Sequence, residues 1–254
     1  MSVDFGKTSR DYARHRAGFP EAFFDRLAPF GIGQKGQRLL DLGTGTGTVA
    51  RGFARRGCVA TGLDRSAALM EEARRFDVAA GVAIRYVTGV AEDTGFPTGH
   101  FDVVTAGQCW HWFDGRRAAS EARRVLKPGG ALVIAHFDWL PIAGNVADLT
   151  EKLILAHNPS WKLSGTTGLH PEELTDIALA GFRDIETFSF DVAVPYTHEG
   201  WRGRVRASAG VGASLPPDAV ARFNAELAKV LSDRYREDPI AVPHRVWTIV
   251  SRAP

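Results

Sequence analysis

DLGTGTGTVA, residues 41–50, is the stretch that decides the fold. Three glycines alternate with threonines directly after the run Arg38–Leu42. Glycine permits positive φ and lets a ligand approach the backbone. A helix opening just after the loop adds unpaired N–H groups. In open α/β sheets, ligands bind beyond the carboxyl ends of the strands, at the switch point. Gly45-x-Gly47-x-x-Ala50 matches the dinucleotide fingerprint, and Asp64 lies 19 residues past Gly45. An acidic residue there binds ribose hydroxyls whether the ligand is a dinucleotide or an adenosyl group. The loop alone therefore leaves an NAD-dependent oxidoreductase standing. Asp41 is the residue that leans away from it, because a carboxylate suits an ammonium or sulfonium and repels a pyrophosphate.

Outward from the loop, strand and helix alternate. Strands are expected at Arg38–Leu42, Val59–Asp64, Ile84–Val90, Phe101–Ala106 and Ala131–Phe137, short and rich in Val, Leu and Ile, as in strands buried on both faces. Val49, Ala50, Phe53 and Ala54 form a helical stripe closed by Gly57; Leu69, Met70, Ala73 and Phe76 form another, opened by Ser66. A third runs through Ala118, Ala122, Val125 and Leu126 and stops at Pro128-Gly129-Gly130. This alternation implies a doubly wound parallel sheet with helices on both faces. The second half is less regular. Helices are expected over Asn145–His157, Pro171–Ala180 and Asp218–Arg236, a strand through Phe188–Val194, and a last strand at His244–Arg252. The expectation is a single domain over 1–254, with a core of about 36–137 plus the C-terminal strands, and helical cap elements at about 1–30, 140–180 and 197–240.

Composition narrows the partners. Lys and Arg number 31 against 29 Asp and Glu, so the formal net charge of +2 makes no bulk case for nucleic acid or an anionic membrane. No apolar run approaches the ~20 residues that span a bilayer, and the N-terminus lacks the apolar core of a signal peptide. Two cysteines, Cys58 and Cys109, share no metal-like spacing, and no metal site is expected. A cytoplasmic monomer or homodimer acting on a small molecule is the expectation.

Five motifs in register resemble those of class I S-adenosylmethionine-dependent methyltransferases: Asp41-x-Gly43-x-Gly45-x-Gly47, Asp64, Ala91-Glu92 before Phe96-Pro97, Phe101-Asp102-Val103-Val104, and Leu126-Lys127-Pro128-Gly129-Gly130. The resemblance implies a Rossmann-like seven-stranded sheet whose last strand is antiparallel, and S-adenosyl-L-methionine as cofactor, leaving as S-adenosyl-L-homocysteine. It implies that Gly43, Thr44 and Gly45 pack against the methionine and ribose portions. Asp64 would take the ribose hydroxyls, with Arg65 beside the adenine and Ala91 and Glu92 at its edge. Many members carry Asp where this chain has Val90, so Glu92 or backbone must grip the adenine amino group here. Tyr12 and Arg16, four apart, resemble an entry segment that closes over the cofactor, Arg16 pairing the methionine carboxylate.

Gln108-Cys109-Trp110-His111-Trp112-Phe113 follows the fourth strand, where the reacting methyl should project. It is similar to a Gln-x-x-His-Trp-Phe stretch of small-acid methyltransferases of the trans-aconitate type, within the type 11 group. Gln108 would line the cofactor; His111 and Trp112 would face the acceptor, with His111 as general base where the acceptor carries a proton. A second cluster, His198 to Arg206, stacks Arg202 and Arg206 on one helical face beside Trp201, and His244 follows later. Converging there, these groups would suit an anionic acceptor. A carboxylate acceptor needs no base; a hydroxyl or amine does. A cofactor-binding protein without catalysis is the other alternative to the oxidoreductase.

Overall fold

The computed structural model describes residues 17–254. Seven strands form one sheet: β1 (Arg38–Leu42), β2 (Val59–Asp64), β3 (Arg85–Thr88), β4 (Phe101–Gly107), β5 (Leu126–Trp139), β6 (Arg183–Tyr196) and β7 (Ile240–Arg252). Their order is β3-β2-β1-β4-β5-β7-β6. β1 pairs in parallel with β2 and β4, β2 with β3, and β4 with β5. The order reverses between β1 and β4, so the crevice past their carboxyl ends is the switch point. The last strand is antiparallel to β5: Gly130 bonds Ala253, and Leu140, just past β5, bonds Pro243, ten residues up one chain against ten down the other.

The chain resolves into two compact units. One comprises 18–137, 170–190 and 246–254 and carries the glycine loop. Its helices are α1 (Glu21–Leu27), α2 (Thr48–Arg55), α3 (Ala67–Ala80), α4 (Gly115–Val125) and α6 (Glu173–Leu179). Leu40, Leu42, Val104, Leu132 and Ile134 from the central strands are fully buried with Val125 and Ile177 from the helices. Burying each such side chain contributes roughly 1.5–3 kcal/mol. α2 starts on Gly47 at φ 75° and buries Val49, Ala50 and Phe53. It lies so close to Phe24 of α1 that a Cβ on Gly52 would overlap the ring. Ser66 caps α3 by accepting from the Leu69 N–H, as its sequence position implies.

The other unit comprises 138–169 and 191–245 with Ala17. It holds α5 (Val146–His157), α7 (His198–Arg206) and α8 (Pro217–Arg234). Its core is Val146, Ala147 and Ile154 against Trp201, Val205, Phe223, Leu227 and Leu231.

β3 is shorter than expected, Arg85–Thr88, and β7 starts earlier, at Ile240; two larger differences have a local cause. β5 begins at Leu126, not Ala131, because Lys127-Pro128-Gly129-Gly130 is a bulge inside the strand. Phe101 pairs Leu126 while Val103 already pairs Ala131. Pro128 has no N–H for the ladder, Gly129 sits at φ 73°, and the Lys127 ammonium reaches the Asp102 carboxylate at 2.5 Å. β6 extends back to Arg183, since it lies at the sheet edge, where exposed residues mask the alternation. Among the described residues, no helix is long and apolar enough to cross a membrane.

Candidate functional site

The glycine loop leaves β1 and enters α2 with Gly43, Gly45 and Gly47 all at positive φ, 59°, 54° and 75°. The three serve different ends. A Cβ on Gly43 would press on Cys109 at 2.9 Å, and one on Gly47 on the Tyr86 hydroxyl at 2.4 Å. One on Gly45 meets only the Gly43 carbonyl at 3.9 Å. Gly43 and Gly47 are therefore fixed by packing as well as conformation, while Gly45 leaves its backbone open to a ligand.

Behind the loop, Arg51 of α2 is buried and bonds Asp77 at 2.8 Å and the Thr46 carbonyl at 2.9 Å. The second Asp77 oxygen accepts from Tyr86. The loop is thus clamped from below by a satisfied ion pair. Asp41, 2 % exposed, accepts from the hydroxyls of Thr44 and Thr105, both at 2.7 Å. Burial raises its pKa from 3.8 to about 6 against the lowering effect of these bonds. Asp64, at the end of β2, accepts from the Gly45 and Ser66 N–H groups, each at 2.8 Å. Its carboxylate has lone pairs left for hydroxyls. Arg65 is exposed beside it, and Ala91 is buried. Glu92 accepts from the Asp114 N–H at 2.9 Å, which ties the segment after β3 to the segment after β4. Loop, Asp41 and Asp64 fit an adenosyl cofactor: an uncrowded glycine at position 45 between two carboxylates, one desolvated and one, at the end of β2, with lone pairs left over.

The segment after β4 opens with Gln108 at φ 61°, a strained conformation for a residue with a side chain. Its N–H donates to the Ala135 carbonyl and its side-chain oxygen accepts from the Phe137 N–H, bracketing His136 of β5. Trp110 is buried and donates to Asp176 of α6. His111 is exposed, its ring 4.7 Å from the Trp112 ring, and Trp112 is 45 % exposed. Trp110 thus packs the segment down while His111 and Trp112 remain outward.

Three residues here carry no mark in the sequence reading. His136 is fully buried, and its Nε2–H donates to the Glu173 carboxylate at 2.8 Å. The His170 ring stacks on it at 3.7 Å, and the His111 ring lies 5.7 Å away. Among the described residues, Nδ1 of His136 and Oε2 of Glu173 have no hydrogen-bond partner. One signal was available: a histidine inside the apolar run Ala131–Phe137 must find a partner or cost stability.

The remaining candidates belong to the other unit. Trp201 is fully buried and donates to Thr150. Arg202 and Arg206 share Glu199 and Asn224: Arg202 bonds Asn224 at 3.1 Å, Arg206 bonds it at 2.7 Å, and both reach the Glu199 carboxylate. His244 is buried, its Nδ1 on the Val242 carbonyl and its ring stacked on Tyr196. Tyr12 and Arg16 lie outside the described residues.

Residues 40–134 match the family described as "Methyltransferase domain". An uncharacterized methyltransferase of Mycobacterium tuberculosis is 34% identical over 132 residues, 52% of this chain and 51% of that protein. The chain thus spans about half the length of the first such relatives it matches. A ubiquinone/menaquinone biosynthesis C-methyltransferase of a Ruegeria species is 30% identical over 201 residues, covering 72% of this chain and 79% of that protein. A solved structure of a putative type II methyltransferase from Anaeromyxobacter dehalogenans superposes with a TM-score of 0.65 at 21% identity, covering 94% of this chain and 97% of that one. Fold, glycine loop and relatives agree: the chain belongs to the class I S-adenosylmethionine-dependent methyltransferases.

Proposed function

We propose that this chain transfers a methyl group from S-adenosylmethionine to a small organic acceptor at the carboxyl ends of β4 and β5. The observation that carries this reading is the loop: three glycines at positive φ, open backbone at Gly45, and Asp41 desolvated behind it. The cofactor supplies a methyl carbon already activated by its sulfonium. Gly43, Thr44 and Gly45 cradle its amino-acid and ribose portions. Asp64 takes the ribose hydroxyls, Ala91 and Glu92 border the adenine with Arg65 outside, and Gln108 lines the methyl side. The carboxylate of Asp41 favours a positively charged ligand and disfavours a pyrophosphate.

His111 and Trp112 present the acceptor to the methyl group. Alignment at a distance of ~3–3.5 Å accounts for ~7–11 kcal/mol of the barrier in well-oriented reactions. Arg202 and Arg206, held by Glu199 and Asn224, would favour an anionic acceptor, with Trp201 and His244 supporting them. The acceptors named here extend to acids of the trans-aconitate type.

Thermal denaturation with S-adenosylhomocysteine and with NAD(P) tests the reading. Stabilisation with adenosylhomocysteine should follow RT ln(1 + [L]/Kd), with no shift for NAD(P). A shift with NAD(P) alone contradicts it.

A further inference from the structure

His136 has the features a proton acceptor requires, and they lie in one unit of the fold. Its Nε2–H is committed to the Glu173 carboxylate, 5 % exposed at the side chain. That bond selects the tautomer in which Nδ1 carries a lone pair and no proton. Nδ1 is buried and has no partner among the described residues. A polar atom left so is destabilising unless a bound group completes it. His136 sits on β5 where Gln108 brackets it, next to the segment that carries His111. The rings around it are His170, stacked at 3.7 Å and 19 % exposed at the side chain, the exposed His111 at 5.7 Å and Trp247 at 6.3 Å.

We infer that His136 accepts the acceptor's proton and that Glu173 is its positioning residue. The atom methylated then carries a proton, as in a phenol, an enol or another hydroxyl, and a carboxylate on the same acceptor serves binding rather than methyl transfer. In the step, the acceptor oxygen gives a lone pair to the methyl carbon and loses its proton to Nδ1. The electron pair of the broken carbon–sulfur bond stays on sulfur. One positive charge leaves the sulfonium and reappears on the imidazolium, opposite the Glu173 carboxylate. This rests on the methyltransferase reading and moves the base from the exposed His111 to a histidine shielded from water. A neutral, oriented imidazole of this kind contributes about 10²–10⁴-fold as a general base.

The test is ¹⁵N NMR of histidine-labelled protein saturated with S-adenosylhomocysteine, with phenol and benzoate as probes. One imidazole should show a protonated Nε2 and an unprotonated Nδ1, and its signals should vanish in His136→Gln. Phenol should move the Nδ1 resonance while benzoate leaves it in place. Glu173→Gln should reduce the Nε2–H tautomer and the phenol response together, with adenosylhomocysteine affinity unchanged. A protonated Nδ1 in the wild type, or an Nδ1 unmoved by phenol at its solubility limit, overturns the inference. Loss of adenosylhomocysteine binding in the wild type would instead strike the methyltransferase reading itself.

Discussion

Two regions of this chain carry aromatic and charged residues at suggestive spacing, and they treat those residues differently. In the unit around the glycine loop, polar groups are held at a cost. Asp41 is desolvated until its pKa reaches about 6, Gln108 sits at positive φ, and Nδ1 of His136 is buried without a partner among the described residues. In the unit around α7, Trp161 Nε1 and Ser208 Oγ are also buried without a partner among the described residues, but the groups that the sequence singled out have internal partners. Trp201 bonds Thr150, and Arg202 and Arg206 share Glu199 and Asn224. Local cost that packing does not explain marks where a ligand is expected. Internal satisfaction is what a folded core produces without one.

This contrast can be broken by mutation. The largest effect is expected for Trp201→Ala, which empties a fully buried indole site and should lower stability by about 3–5 kcal/mol. Adenosylhomocysteine affinity of the folded protein should stay as it was; chemical denaturation and calorimetry read the two quantities separately. A lost affinity would mean that the α7 region shapes the cofactor site after all.

Gly45→Ala should do the reverse. Its Cβ meets no atom closer than 3.9 Å, so the cost to folding is the positive φ alone, about 1–2 kcal/mol. The methyl group occupies the side from which the ligand approaches, and adenosylhomocysteine affinity should fall roughly tenfold or more, ~1.4 kcal/mol per decade. Unchanged affinity would place the ligand elsewhere. The smallest effect belongs to Arg202→Ala. With Glu199 and Asn224 still present, KM for an aliphatic dicarboxylate should rise only a few-fold while kcat holds. No change in KM removes the anionic-acceptor reading.

How much of this could be read from the sequence follows from sequence distance. β1 and β2 run over the residues expected, because glycines and apolar runs mark them locally. The loop was legible for the same reason, and Asp64 because its spacing from Gly45 is fixed by one strand–helix–strand unit. The seven-stranded sheet with an antiparallel last strand followed from the resemblance and is what the structure has. The pairing of His136 with Glu173 was not legible: 37 residues separate them, and only the packing of α6 against the sheet brings them together. At α7 the opposite held. The four-residue spacing of Arg202 and Arg206 was plain, but Asn224, which accepts from both guanidinium groups, lies on another helix and could not be foreseen.

Asp41 carries the central claim, that this loop selects a positively charged cofactor. Between pH 3.8 and about 6 the folded chain holds the Asp41 proton while the unfolded chain has released it. The folded state therefore binds more protons in that window, and stability declines as pH rises through it, by about 3 kcal/mol in all. A bound cation favours the carboxylate, so affinity for S-adenosylmethionine should increase as pH rises through about 6. The decisive measurement is that affinity as a function of pH in wild type and Asp41→Asn, by titration calorimetry. The account predicts a rise through about pH 6 in the wild type, and weaker, pH-independent binding in the variant, whose ligand-free form is at least as stable at neutral pH. Equal affinity and an identical pH profile in the two proteins would contradict it.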